Sequence, residues 1–584
     1  MPVETIYHDI VIVGSGIAGL RAAVEIKRKY GDKLNVGIIS KVQLMRSHSV
    51  AAEGGTAAAL YPQEGDSFTL HAWDTIKGSD FLADQDVVWN FVKLMPEEIL
   101  LLDHWGIPWS RRPDGRILQR PFGGHSFPRT TMAADKVGHA IMRTLYNKLL
   151  QFDGWERYDE WFVTDFIIED GVYKGLFAIN LKDGKLYMFR SKAAIIAMGG
   201  LGRLYPFTTY AHTVTGDGMA AAYRAGLAIK DPEMVQFHPT GLVPSGILIT
   251  EGARGEGGIL RNKNGERFMA RYAPKFLDLA PRDVVSRAIY TEYLQGRAFI
   301  DEASGMPYVL LDLTHLGEEK INEKLPNIRE IGIRYAGIDP VSEPLPVFPA
   351  AHYHMGGIAT DPMYRVMTAD HKWVKGLFAA GEVSAASVHG ANRLGGNATA
   401  ECLVSGKITG RLAAEYALKT PSPPSEPSPD VAKREEDFVW GLVKRESGTP
   451  SYQIRKRMQD IMMKDFYIFR DATNMSEGLS ELLKLRDAYL NEVYIEDKER
   501  TYNTDLVIAL ETYNMLQDAV VVAAAALNRT ESRGAHYRID YPKRDDVNWL
   551  KHTIAVRDAS TNIGVSFTYW PVTITTWKPV ERKY

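Results

Sequence analysis

The residues Asp9 to Val13 form a short, nearly continuous apolar run of the kind buried in a parallel sheet. After the glycine-rich stretch Gly14 to Gly19, the apolar positions take helical spacing over Leu20 to Lys29. A second apolar run at Val36 to Ile39 completes a strand, helix, strand pattern. The segments AAIIAMGG (Ala193 to Gly200) and GLFAAGE (Gly376 to Glu382) each read as a buried strand ending in a tight glycine turn, which predicts further strands of the same sheet. The pattern therefore predicts an α/β fold with a discontinuous Rossmann-like dinucleotide-binding domain over 1–242 and 348–419. Residues 243–347 are mixed in character and carry no repeat, which suits an inserted α+β capping domain. The stretch PSPPSEPSPD (Pro421 to Asp430) holds five prolines in ten residues and predicts an extended linker over 420–430. Beyond it, helix formers with apolar residues at three and four spacing, as at Leu479, Leu482, Leu483 and Leu485, predict a helical domain over 431–529. Alternation in VSFTYWPVTITTW predicts strands in a small α+β C-terminal domain over 530–584.

Composition narrows the reading. A chain of 584 residues exceeds what one hydrophobic core supports. The net charge of -3 provides no broad attraction to nucleic acid, so partners must be recognised locally. The opening MPVETIYHDIVIVGSG lacks the pattern of a secretory signal, which predicts a cytoplasmic protein. The alanine-rich run Ala519 to Leu527 is too short to span a bilayer. Cys402 is the single cysteine, so no internal disulfide, zinc cluster or thiolate-held iron–sulfur centre is expected, and no metal site.

Gly14, Gly16 and Gly19 match GxGxxG, with Ser15 between the first two. Such a turn lets backbone N–H groups approach a pyrophosphate at a helix N-terminus, although glycine turns between strand and helix also serve packing alone. The second strand ends in Ser40 and Lys41, where many dinucleotide folds place an acidic ribose ligand; serine can replace it with a weaker hydrogen bond.

The motifs RSHSVAAEGG, HPTG, TEGARGEGG, PRD, AHYHMGG, HGANRLGG and ESRGAH follow in this order along the chain. In motif content and order the chain resembles the flavoprotein subunits of succinate dehydrogenase and fumarate reductase, from about residue 8 onward. The resemblance implies covalent FAD, tethered from its 8α-methyl group to His48, and a raised flavin potential. It implies cofactor contacts at Gly14, Ser15, Gly16, Gly19, Ser40, Lys41, Ser47, Ser49, Gly54, Gly55, Asp217, Glu382, Ala398 and Thr399. A helix opening at Ala398 would place its positive end at the flavin ring. For the substrate dianion it implies His238, Thr250, His352 and Arg393 as ligands, and arginine suits a carboxylate because its planar fork donates two parallel bonds. For catalysis it implies Arg282 as the proton donor, with Glu251 and Arg254 relaying protons. The implied partners are an iron–sulfur protein and membrane anchor subunits, with the complex peripheral at the cytoplasmic face. Alternatives are a soluble L-aspartate oxidase or soluble fumarate reductase, or a non-catalytic flavin-binding subunit; aspartate oxidases lack the tethering histidine. The chain departs from the family at GGNAT (Gly395 to Thr399), where GSNSL is commoner, and at Ala253, where many relatives carry cysteine.

Overall fold

In the computed structural model, which describes residues 3–584, the first apolar run is the second half of strand β1 (Glu4–Val13). Helix α1 (Ile17–Tyr30) and strand β2 (Val36–Ser40) follow, and Ile10, Val11 and Ile12 are fully buried. β1 pairs in parallel with β2 and with β3 (Lys185–Ile196), so that Val13 stands opposite both Ile39 and Ile196. The register therefore brings Gly14, Ser40 and Ala197 to one edge, at the carboxyl ends of parallel strands, where open α/β sheets bind ligands.

A strand over Val235–Leu242 (β4), helix α2 (Arg282–Leu294) and a strand over Leu345–His354 (β5) build the layer above that edge. β4 and β5 pair antiparallel, and β5 continues to Pro307–Asp312 and then Ile259–Arg261. The capping sheet thus extends past the expected limits at 242 and 348, because β4 and β5, which lie at those limits in the sequence, pair with each other, and β5 pairs with Pro307–Asp312. Strand β6 (Trp373–Ala379) returns to the first sheet, with Ala379 opposite Ile196. Helix α3 (Asn397–Lys419) then packs along α1. Contact is close because Gly406 and Gly410 face α1: a Cβ at either would lie 2.5 Å from Ala18 O or 2.6 Å from Ala22 O. The N-termini of both helices consequently open on the same cavity.

The linker is pinned where Arg190 donates to Ser425 O at 3.0 Å and pairs with Glu426. After it come four helices, ending in α4 (Thr504–Asn528). The sequence suggested only the short run Ala519 to Leu527; the helix is in fact long and apolar enough to cross a membrane by length and composition, but 83% of its apolar window is buried within the protein. Its surface belongs to the core.

Residues 530–584 contain strands β7 (Lys551–Arg557) and β8 (Val565–Pro571) and no helix, so the expected α+β character is replaced by an extension of another sheet. β7 pairs with Ile229–Lys230, and alternation ends at Pro571, where proline removes a ladder donor. His552 of β7 sits between two buried carboxylates, with Nδ1 2.6 Å from Asp231 and Nε2 3.0 Å from Asp84; Lys230 is 3.2 Å from Asp84. Burial and Lys230 oppose charge on His552, but Asp84 and Asp231 outweigh them and raise its pKa above the ordinary 6.5. Burial likewise opposes ionisation of Asp84 and Asp231, and His552 in turn holds both below the usual carboxylate range.

This fixes a sign. The contribution of charged His552 is complete below its unfolded pKa of about 6.5 and fades as pH rises through its folded value, while that of the carboxylates fades as pH falls below about 4. His552→Ala should cost about 3 kcal/mol, because it leaves buried carboxylates short of a cation. Thermal unfolding should show a larger gap between wild type and variant at pH 6 than at pH 9. A gap independent of pH would remove the imidazolium from the account.

Candidate active site

One cavity of about 520 Å³ runs from the β1–α1 turn to the residues of α2 and β5. At its first end the three glycines serve different needs. Gly14 has φ +109°, and a Cβ there would meet Ala197 O at 1.9 Å; one at Gly19 would meet Gly14 O at 2.0 Å. A Cβ at Gly16 would meet Ser49 Oγ at 2.9 Å, and that oxygen accepts from Ile17 N at 3.2 Å. Gly14 and Gly16 line the cavity, whereas Gly19 does not and serves packing. Ser15 Oγ lies 3.0 Å from Ser40 Oγ, joining the turn to the end of β2. Lys41 donates to Asp217 at 2.7 Å and pairs with Glu511 at 2.7 Å. These two expected cofactor residues, Lys41 and Asp217, are therefore bound to each other at the cavity wall.

Ser47, His48, Ser49, Gly54 and Gly55 lie along the middle of the cavity. His48 Nδ1 accepts from Ala211 N at 3.2 Å, and its ring stacks on Tyr210 with centroids 5.1 Å apart. Burial and then Arg203 push its pKa down to about 4, so the ring is neutral. With Nδ1 engaged as an acceptor, Nε2 is the nitrogen free to bond elsewhere. Opposite lie Ala398 and Thr399 in the first turn of α3, preceded by Gly396 at φ +82°. Thr399 Oγ1 is 2.8 Å from Thr56 Oγ1. Glu382 accepts from Tyr210 OH and from His354 N at 2.9 Å, and burial raises its pKa to about 7. Cys402 also lines this wall, and burial pushes its thiol pKa up.

At the far end, His238 Nδ1 accepts from Thr240 N at 3.1 Å, which leaves Nε2–H as a donor; buried Nε2 has no partner. His352 Nδ1 lies 2.7 Å from Thr209 Oγ1, and the two imidazoles are edge-to-face with centroids 4.7 Å apart. Burial, and then Arg282, hold both rings well below the ordinary histidine pKa. Thr250 Oγ1 accepts from Gly252 N at 3.1 Å, so its hydroxyl proton remains available. Arg393 lies over the Tyr353 ring at 4.2 Å with Nε unpartnered, and burial followed by Arg282 lowers its pKa to about 10.

Arg282 does not pair with its neighbour Asp283. Its Nε is 3.2 Å from Glu251 Oε1, its Nη1 3.2 Å from Gln236 Oε1, and Arg254 Nη2 reaches the same Glu251 oxygen at 3.4 Å. Burial opposes charge on Glu251, yet Arg282 and Arg254 outweigh it and keep the carboxyl below its usual range. Arg254 does not line the cavity; it stands behind Glu251, with Nε unpartnered. Three guanidiniums and one carboxylate leave this end net positive. Unpaired buried donors are rare, and His238 Nε2 and Arg393 Nε belong to residues that line the cavity, where an anion can complete them.

Sequence reasoning missed Gln236, Tyr210, Arg203 and Phe122. Gln236 stands two residues before His238 on β4, but a register irregularity between Gln236 and Phe237 interrupts the alternation that could have placed it. Phe122 fills the space beside Gly54 and Gly395, where a Cβ would come within 2.3 Å and 2.5 Å of its ring, and nothing in its local pattern announces this.

The family profile described as an FAD binding domain matches residues 9–399, and that described as the fumarate reductase flavoprotein C-terminal region matches residues 455–584. The fumarate reductase flavoprotein subunit of Mycobacterium tuberculosis is 44% identical, over 99% of this chain and 100% of that protein. The chain belongs to the succinate dehydrogenase and fumarate reductase flavoprotein family. The succinate dehydrogenase flavoprotein subunit of Rickettsia bellii is similar to this flavoprotein at 43% identity, over 98% of this chain and 96% of its own. The flavoprotein superposes on a flavoprotein chain of Escherichia coli quinol fumarate reductase with TM-score 0.93 and 42% identity, covering 99% of each chain. FAD fits the residues present: the Gly14–Gly16 cradle and two helix N-termini open on a cavity continuous with the donor-rich end.

Proposed function

We propose that this flavoprotein is the catalytic subunit of a succinate:quinone oxidoreductase, interconverting succinate and fumarate. The observation that carries the reading is the cluster of unpartnered donors, His238 Nε2 and Arg393 Nε, in the same cavity as the dinucleotide cradle and beside the Arg282–Glu251–Arg254 chain.

Arg393 and His352 bind one substrate carboxylate, and His238 and Thr250 bind the other. When bound, FAD supplies the two-electron chemistry, accepting hydride from succinate or delivering it to fumarate. Arg282 holds the proton exchanged with the second carbon, at a guanidinium nitrogen. Glu251, bridged to both arginines, passes that proton toward Arg254 and the exterior. Gln236 fixes the Arg282 fork from its other side.

The cofactor is tethered through His48 Nε2 in this reading. An alkylated imidazole keeps a single acceptor nitrogen, and the Ala211 N–H already serves Nδ1 in that state. Electrons leave to a separate iron–sulfur protein, and anchor subunits hold the complex at the cytoplasmic face of the membrane. Denaturing electrophoresis in acid under ultraviolet light should give a fluorescent band at 65.3 kDa. The flavinylated chain should also reduce an artificial dye with succinate. A dark band removes the tether, and no turnover from a fully flavinylated chain removes the enzymatic reading.

A further inference from the structure

Asp283 follows Arg282 in the first turn of α2 but faces other groups. Its Oδ2 lies 2.6 Å from Arg582 Nη2 and 3.3 Å from Arg287 Nη2. The same Arg582 nitrogen is 3.1 Å from Asp80 Oδ2, and Asp80 Oδ1 takes Arg544 Nη1 at 2.7 Å. Asp283 and Asp80 are both buried, and the Arg582 side chain is only 10% exposed. One guanidinium therefore bridges two buried carboxylates, one on the helix that carries Arg282 and one beside the dinucleotide-binding core, each of which also meets a second arginine.

The segment that delivers Arg582 is itself fixed. Gln85 Oε1 accepts from Thr576 N at 2.8 Å and Trp577 N at 3.0 Å, while its Nε2 donates to Trp577 O at 2.6 Å. The Trp577 ring stacks on Trp89 with centroids 5.6 Å apart, and Tyr584 meets Phe276 of the capping region edge-on at 5.3 Å. Residues 572–584 thus form a strap from the dinucleotide-binding core to the foot of α2. Removing a shared cation from two buried carboxylates destabilises their positions strongly. The loss falls on the first turn of α2, which carries both Asp283 and Arg282.

We propose that Arg582 is a positioning residue for Arg282: by joining Asp283 to Asp80 it fixes the first turn of α2, and with it the point where the Arg282 guanidinium meets Glu251. Arg582 itself touches neither the cavity nor the reacting atoms. The proposal rests on Arg282 acting as proton donor, so its test carries Arg282→Gln alongside.

Arg582→Ala should lower kcat by about tenfold to a hundredfold with KM changed much less, the pattern of a misplaced catalytic group with substrate binding retained. Added guanidinium ion should restore part of the rate, and amide hydrogen exchange should quicken over residues 282–286 with flavin attachment unchanged. Arg582→Lys keeps the charge without the fork and should fall between, which keeps the test available if the alanine variant does not accumulate. Arg544→Ala, which reaches Asp80 but not α2, should lower thermal stability and leave kcat near wild type. A lowered unfolding temperature for Arg582→Ala with unchanged kcat overturns the proposal. Full turnover by Arg282→Gln instead overturns the reading of the active site.

Discussion

Arg282→Gln is expected to abolish both succinate oxidation and fumarate reduction while leaving the flavin attached. Among the described residues, Arg282 is the only guanidinium that both lines the cavity and touches Glu251, which links it to Arg254 behind the wall. Glutamine keeps an amide donor that reaches only to about the position of the arginine Nε and carries no exchangeable cationic proton, so the relay ends at Glu251. Loss of a general acid typically removes 10²–10⁴-fold of rate, and a reduction of about that size in kcat is the expected result. His48 meets Ala211 and Tyr210, whereas Arg282 meets Glu251 and Gln236, so flavin fluorescence on a denaturing gel should persist. Steady-state rates in both directions, with in-gel fluorescence as the control, check the prediction. A variant turning over at wild-type rate would remove Arg282 from the chemistry.

The second large effect is expected at His48. His48→Ser should retain noncovalent FAD, because the glycine turn, Ser49 and the α3 N-terminus remain, but it removes the nitrogen proposed as the tether. The flavin potential should fall, and succinate oxidation should decline more than fumarate reduction. For a two-electron couple, each tenfold change in that equilibrium corresponds to about 30 mV. The ratio of the two rates, taken with one fixed donor and one fixed acceptor, is checked against a direct measurement of the flavin potential. An unchanged ratio would separate the tether from the potential.

Much of the site was legible in the chain because its chemistry sits in short, contiguous motifs. The turn Gly14 to Gly19 announces itself by a change of hydrophobic period, and His48, His238, Thr250, Glu251, Arg282, His352 and Arg393 each lie in such a motif. One expected role shifted: Gly19, read as a cofactor contact, packs against Gly14 and does not line the cavity. Lys41 was placed by its position after β2, yet its partnership with Glu511 of the helical region could not be, since a single ion pair over such a separation has no periodic signature. The same holds for Arg582 and Asp283, which are 299 residues apart. At the other extreme, the capping sheet limits were obscured because the polar–apolar alternation of β4 marks it as a strand without marking which strand it pairs with.

The close packing of α1 on α3 has a consequence for how the protein is made. Gly406 and Gly410 bring to the glycine turn a helix encoded nearly four hundred residues later. Half the cradle is therefore absent while a ribosome is still reading the first half of the message. A nascent chain can fold β1, α1 and β2 locally, yet it has no pocket with which to retain a flavin. Cofactor capture must follow closure of this long loop, whose non-local contacts form slowly. Cells that limit FAD should accordingly accumulate fully synthesised apoprotein instead of stalled, half-loaded fragments.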